Sequence, residues 1–102
     1  MARSWKVELD SKTKKALLTF IKNGDLSQGD LEVLRKWVSE IEENGVDAIK
    51  NSSFWNDHAL HSDWVGYRSS SFSFKGRVIY KIIGEKILVK VIRITVDHDY
   101  RR

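Results

Sequence analysis

The chain has 102 residues, 41% hydrophobic and 31% charged, with a formal net charge of +4, which predicts one globular domain spanning residues 1–102 and excludes a disordered chain. Cysteine is absent, so a disulfide framework, a thiolate zinc site and a cysteine nucleophile are all excluded. No apolar run approaches the ~20 residues of a membrane span, and Met1-Ala2-Arg3-Ser4-Trp5 lacks the apolar stretch of a signal peptide; the expectation is a soluble, cytoplasmic protein without a membrane partner.

Trp5-Lys6-Val7-Glu8-Leu9 alternates apolar and polar residues, the period of a half-buried strand. Asp10 or Ser11 then caps a helix through Lys22, with Ala16, Leu17, Phe20 and Ile21 on one face and Asn23-Gly24 as the stop. Ser27 and Asp30 have the spacing of a capping box. They open a second helix whose stripe is Leu31, Leu34, Trp37, Val38 and Ile41, ended by Asn44-Gly45. The two helices read as an αα-hairpin. From Tyr67 the period changes to two. Strands are expected at Tyr67–Phe74, Arg77–Ile83 and Lys86–Val96, and Gly84-Glu85 between the last two suits a type II′ turn.

That turn sets a register in which Ile83 faces Lys86 and Ile82 faces Ile87. One face then collects Val78, Tyr80, Ile82, Ile87, Val89 and Val91 as the core side. The other collects Arg77, Ile79, Lys81, Leu88, Lys90 and Ile92 as an open, basic side. Without a bulge, His98 and Tyr100 keep the parity of Lys90 and Ile92 and lie on the open face near Arg77. A single bulge between Ile92 and His98 would undo that placement. The charge distribution agrees with a basic surface: residues 1–66 carry a net −2 and residues 67–102 a net +6. Such a surface fits nucleic-acid phosphates or an acidic protein partner. Ile79, Leu88 and Ile92 would add exposed apolar area to it, which calls for a covering partner.

His58, His61 and His98 match no metal-ligand spacing, and there is no Gly-rich phosphate loop or GxSxG elbow. No cofactor and no metal are expected. RNA cleavage without a metal needs a base for the ribose 2′-OH, an acid for the leaving 5′-oxygen, and cations for the charge of the transition state. Arg77, His98 and Tyr100 fit these roles, with Arg68 joining from the neighbouring strand. His61 reads as an ordinary loop residue. Trp5, Trp37, Trp55 and Trp64 read as core and packing residues rather than base-stacking platforms.

Taken in order, Asp57-His58-Ala59-Leu60, Asp63-Trp64-Val65-Gly66-Tyr67-Arg68, Gly76-Arg77-Val78-Ile79-Tyr80-Lys81-Ile82, Val91–Thr95 and His98-Asp99-Tyr100 resemble the RelE/ParE superfamily of bacterial toxins. The nearest pattern is that of the YafQ- and HigB-like mRNA interferases, and the match covers roughly residues 55–100. The resemblance implies an α+β fold, an N-terminal strand and αα-hairpin packed on a small twisted antiparallel sheet. It also implies a type II toxin-antitoxin toxin that cleaves mRNA, in the ribosomal A site, as a metal-independent endoribonuclease, with a cognate antitoxin as partner. Carried over by position, Arg77 matches a phosphate-binding Arg, Arg68 falls near a basic position, His98 and Tyr100 match a catalytic C-terminal region, and His58 matches the His of the DHxL element. Lys75, Lys81, Lys90 and Arg93 complete an RNA-binding set. This chain has Ser71 where the YafQ-like branch has another His, and Lys75-Gly76 where it has Asp-Trp. Two alternatives remain: a ParE-like, non-enzymatic inhibitor of DNA gyrase, and a non-toxic basic RNA-binding module.

Overall fold

Asp10 lies between the first strand and the first helix, and from it the chain first builds the helical layer and then returns to the sheet. The computed structural model describes residues 5–94. Strand β1 (Lys6–Leu9) leads into α1 (Ser11–Lys22), α2 (Gln28–Asn44) and a single turn, α3 (Asp47–Lys50). Strands β2 (His58–Ala59), β3 (Arg68–Ser71), β4 (Gly76–Ile83) and β5 (Lys86–Ile94) follow, with 3-10 turns at Ser53–Trp55 and Ser62–Trp64.

Both helix starts are satisfied as their sequences predict. The Asp10 carboxylate accepts from the Thr13 N–H at 2.9 Å. Ser27 and Asp30 form both bonds of a capping box, at 3.0 and 3.1 Å, so donors that have no partner inside the helix are paired. The burial of the helices is less even. Trp37 and Ile41 of α2 are buried, whereas in α1 only Thr13 is. Leu17 and Phe20 pack partly on the core, and Ile21 stays 39% exposed. Between α1, α2 and the sheet lies an apolar groove of about 470 Å³.

The five strands form one sheet in the order β1-β5-β4-β3-β2. The α+β class and the order of strand and helix hairpin are as expected, but the sheet is mixed rather than antiparallel throughout. β1 runs parallel to β5, pairing Lys6 with Lys86 and Leu9 with Val89. Everything between them in sequence provides the long crossover that a parallel pair requires. Alternation marks a strand without giving its direction, so this edge was invisible in the sequence.

The β4–β5 hairpin has the expected turn, with Gly84 at φ +63° and Ile83 opposite Lys86. Further along, Tyr80 pairs with Val89 but Ile79 pairs with Val91, so Lys90 is the extra residue of a β-bulge. The bulge exchanges the two residues that follow. Ile92 pairs with Val78 and is buried in the core, and Val91 lies beside Ile79 instead; both were expected on the opposite sides. Thr13 of α1 donates its hydroxyl to the Lys90 carbonyl at 2.6 Å, which satisfies an acceptor that the ladder leaves free at the bulge. Lys-Val-Ile are all ordinary strand residues, so their order carries no sign of the irregularity.

Gly76 opens β4 because nothing larger fits there. A β-carbon at this position would sit 2.3 Å from Cζ of Phe72, a ring buried against the same core. The core is completed by Ile49 and Trp55, from a turn and a 3-10 segment too short to show a period. Tyr80 meets Trp37 edge to face at 5.3 Å, locking α2 onto β4.

Candidate nucleic-acid interface

Register sets what the sheet presents on the side away from the helices. One row across it is His58, Ser69, Ile79 and Val91; the next is Ser71, Arg77 and Arg93. These rows frame a basin of about 360 Å³. Leu60, Trp64 and Ile79 give it apolar surface, and His58, Ser69, Arg77 and Arg93 give it polar groups. Arg77 Nη1 donates to Ser69 Oγ at 3.1 Å, and the Arg93 guanidinium lies over the Trp64 ring, 5.8 Å from its centroid. Two cations directly opposite each other on adjacent strands repel. Among the described residues neither has a carboxylate partner, so an anion in the basin would relieve the pair.

His58 is exposed, and its Nδ1 lies 3.2 Å from the Asn56 carbonyl. A carbonyl only accepts, so Nδ1 is the donor in this contact, and in the neutral imidazole Nε2 is the nitrogen that can take a proton. Asn56 itself adopts a left-handed conformation, φ +47°, which ends the 3-10 turn and aligns Asp57 and His58 with β3.

Asp57 is the anchor of this edge, and sequence reasoning missed it. Its side chain is 0% exposed. Arg68 Nε donates to Oδ1 at 2.7 Å, while Ser70 Oγ and Tyr80 Oη donate to Oδ2 at 2.6 and 2.5 Å. Trp37 Nε1 in turn donates to Ser70 Oγ at 3.0 Å, tying α2 into the network. Burial first, and then the bond to Asp57, push the Tyr80 hydroxyl far above its ordinary pKa, so it remains a donor. Burial is the largest influence on Arg68 and opposes its charge, but the bond to Asp57, the attraction of that carboxylate and the Tyr80 oxygen together exceed it and raise the pKa. The usable sequence signal is phase. Arg68 stands opposite Tyr80, and Ser70 opposite Val78, which puts both on the core side with the nearest acid.

Arg68 therefore does not join Arg77. The two lie on opposite faces of the sheet, and Arg68 is held by a buried carboxylate rather than presented to the basin. Of the other cations, Arg93 lines the basin, and Lys75 is exposed in the β3–β4 turn. Lys81 is exposed with its ammonium 5.6 Å from the centroid of Tyr67. Lys90 Nζ sits 3.1 Å from Asp10, a bond that raises its pKa, so this lysine is already paired at the start of α1. His98 and Tyr100 lie outside the described residues. The parity that would carry them to the open face is interrupted at Lys90, so that argument no longer places them.

The open face also carries less apolar surface than expected, since Ile79 is 4% and Ile92 6% exposed. Trp37 and Trp55 are core residues as anticipated, but Trp64 is half-buried and lines the basin. His61 is exposed. Among the described residues there is no group of His, Asp or Glu able to hold a metal, and no helix is long and apolar enough to cross a membrane.

A helix hairpin on one side of a small mixed sheet is the fold of the YafQ and YoeB toxins, and this chain shares it. Its structural neighbours include YafQ from E. coli, with a TM-score of 0.71 and 19% identity over 89% of this chain and 93% of that one. YafQ in the E. coli DinJ–YafQ toxin-antitoxin complex matches with a TM-score of 0.69 and 16% identity, over 90% and 93%. The YoeB–YefM complex from Staphylococcus aureus matches at 0.67 and 17% identity, over 93% and 100%. No protein-family model matches the sequence, and no curated protein does.

Proposed function

We propose that this protein is the toxin of a type II toxin-antitoxin system, a cytoplasmic, metal-independent endoribonuclease that cleaves mRNA in the ribosomal A site. The observation that carries the reading is the pair Arg77 and Arg93, unneutralised among the described residues, beside the exposed imidazole of His58 on the open face. In this mechanism the two guanidiniums bind the scissile phosphate and stabilise the added charge as the 2′-oxygen attacks phosphorus. His58 Nε2 takes the 2′-OH proton. The bond from phosphorus to the 5′-oxygen breaks, leaving a 2′,3′-cyclic phosphate, and a second proton donor supplies the 5′-oxygen. His98 is that donor in this proposal, and Tyr100 orients the RNA or His98. Ser71, opposite Arg77, cannot replace a histidine as acid or base, so the proton work falls to His58 and His98.

Lys75 and Lys81 extend the phosphate-binding surface at either end. Arg68 acts through Asp57, holding the edge from which His58 projects. The partner is an antitoxin, in line with the DinJ–YafQ and YoeB–YefM toxin-antitoxin complexes. Expression without a partner, followed by primer-extension mapping of mRNA ends in translating extracts, tests the reading. Growth arrest with new cuts that persist in EDTA-treated protein supports it. Arrest with gyrase inhibition and no cuts replaces it with the ParE-like reading, and normal growth with RNA binding alone replaces it with a non-toxic module.

A further inference from the structure

The basin is lined by two chemically different sets of residues, and its volume suits one nucleotide. The Trp64 ring with Leu60 and Ile79 gives it apolar surface, and Arg77 and Arg93, opposite each other on β4 and β5, give it cations. Trp64 is held in place rather than free. Its ring meets Tyr67 edge to face at 5.2 Å, Arg93 lies over it, and Lys81 lies over Tyr67 in turn. The result is a run of cation, aromatic, aromatic and cation along the sheet face, the alternation that suits a base with its flanking phosphates. A volume of about 360 Å³ leaves room for a base and its sugar but not for a duplex.

We infer that the basin is a mononucleotide subsite, in which the phosphate sits between Arg77 and Arg93 while its base packs against Trp64. The inference rests on the ribonuclease reading for its biological meaning but not for its test, because binding is measured without cleavage or ribosomes. Phosphate alone uses only the two guanidiniums, so it binds weakly. A nucleoside 3′-monophosphate uses Trp64 as well, so its base adds the contribution that stacking makes, about 10-fold or more in affinity.

The experiment compares adenosine 3′-monophosphate with inorganic phosphate on the full chain by calorimetry, and follows the Trp64 indole N–H by NMR. Wild type is expected to favour the nucleotide by about 10-fold or more and to shift the Trp64 signal with nucleotide only. Trp64→Leu is expected to lower the nucleotide-to-phosphate ratio towards unity, and Trp64→Phe to recover most of it. The ratio is insensitive to a general loosening of the fold, because that weakens both ligands. Equal affinity of wild type for the two ligands, or an unchanged ratio in Trp64→Leu, overturns the subsite. Either of those results leaves mRNA cutting to be judged on its own assay.

Discussion

Removing the Asp57 carboxylate gives the sharpest test of how the open face is held together. Asp57→Ala strips the acceptor from three donors at once: the Arg68 guanidinium, the Ser70 hydroxyl and the Tyr80 hydroxyl. Breaking a buried ion pair by deleting one partner costs about 3–5 kcal/mol, chiefly because the other charge is left uncompensated. Arg68 is 23% exposed at its side chain, so water relieves part of that, and about 3 kcal/mol is the appropriate figure. A domain of this size loses about 4–8 °C in its midpoint per kcal/mol, which predicts a fall of about 12–24 °C. Tyr80→Phe removes only one hydrogen bond to a charged acceptor and should cost about 1.5–3 kcal/mol. Arg68→Met added to Asp57→Ala should cost little more, since the charge it removes is then unpaired. Urea and thermal unfolding followed by circular dichroism measure all three. An Asp57→Ala cost below about 1 kcal/mol, in the range of exposed ion pairs, would refute the anchoring role.

Further outcomes follow from other contacts. Gly76→Ala places a β-carbon in the Phe72 ring and should cost about 1–3 kcal/mol through overpacking, read by the same unfolding curves; in a Phe72→Ala background, itself destabilised by the lost core ring, the added cost of Gly76→Ala should shrink because the space is open. The Asp10 carboxyl is held to about 2, first by the Thr13 N–H and then by Lys90, below the ~3.9 of a free aspartate. Its contribution to stability is therefore complete above the unfolded value and disappears as pH falls through the folded one; acid titrations of wild type and Asp10→Asn should diverge least below pH ~2. Arg93→Gln removes one member of a repelling cross-strand pair, so it should weaken RNA binding and flatten its salt dependence by about one phosphate contact while the thermal midpoint holds or rises.

Legibility in the sequence follows the length of the periodic signal. The helices of 12 and 17 residues and the β4–β5 hairpin carry several periods each, and their caps and Gly84 turn have distinctive residue types, so their ends were readable. Between Gly45 and Tyr67 the chain makes one helical turn, two 3-10 turns and a two-residue strand, none long enough to show a period. That stretch supplies Asp57 and Trp64, which explains why the buried carboxylate was missed and the tryptophan was assigned to the core. The bulge at Lys90 is a different kind of gap: the residues on either side are all strand formers, and only the tertiary contact from Thr13 to the Lys90 carbonyl marks the place. Because side chains alternate every residue, that one extra residue exchanged Val91 with Ile92. It also removed the premise that carried His98 and Tyr100 to the open face. The place of Arg77 on the open face was readable from the hairpin register and His58 was pointed to by the resemblance, but the bond that turns Arg68 away from them was not legible.

Cleavage at the basin is tested most directly by mapping mRNA cuts by primer extension in a translating extract with wild type, His58→Gln, Arg77→Ala and the control His61→Gln, with each midpoint measured alongside. Loss of a general base costs about 10²–10⁴-fold, and loss of one well-placed donor to a developing oxyanion about 10²–10³-fold. His58→Gln and Arg77→Ala should therefore fall by those factors with midpoints near wild type, because His58 is exposed and Arg77 bonds only to Ser69 among the described residues. His61→Gln should cut like wild type. Cutting by both variants at the wild-type rate would contradict the account and move the site away from this face of the sheet.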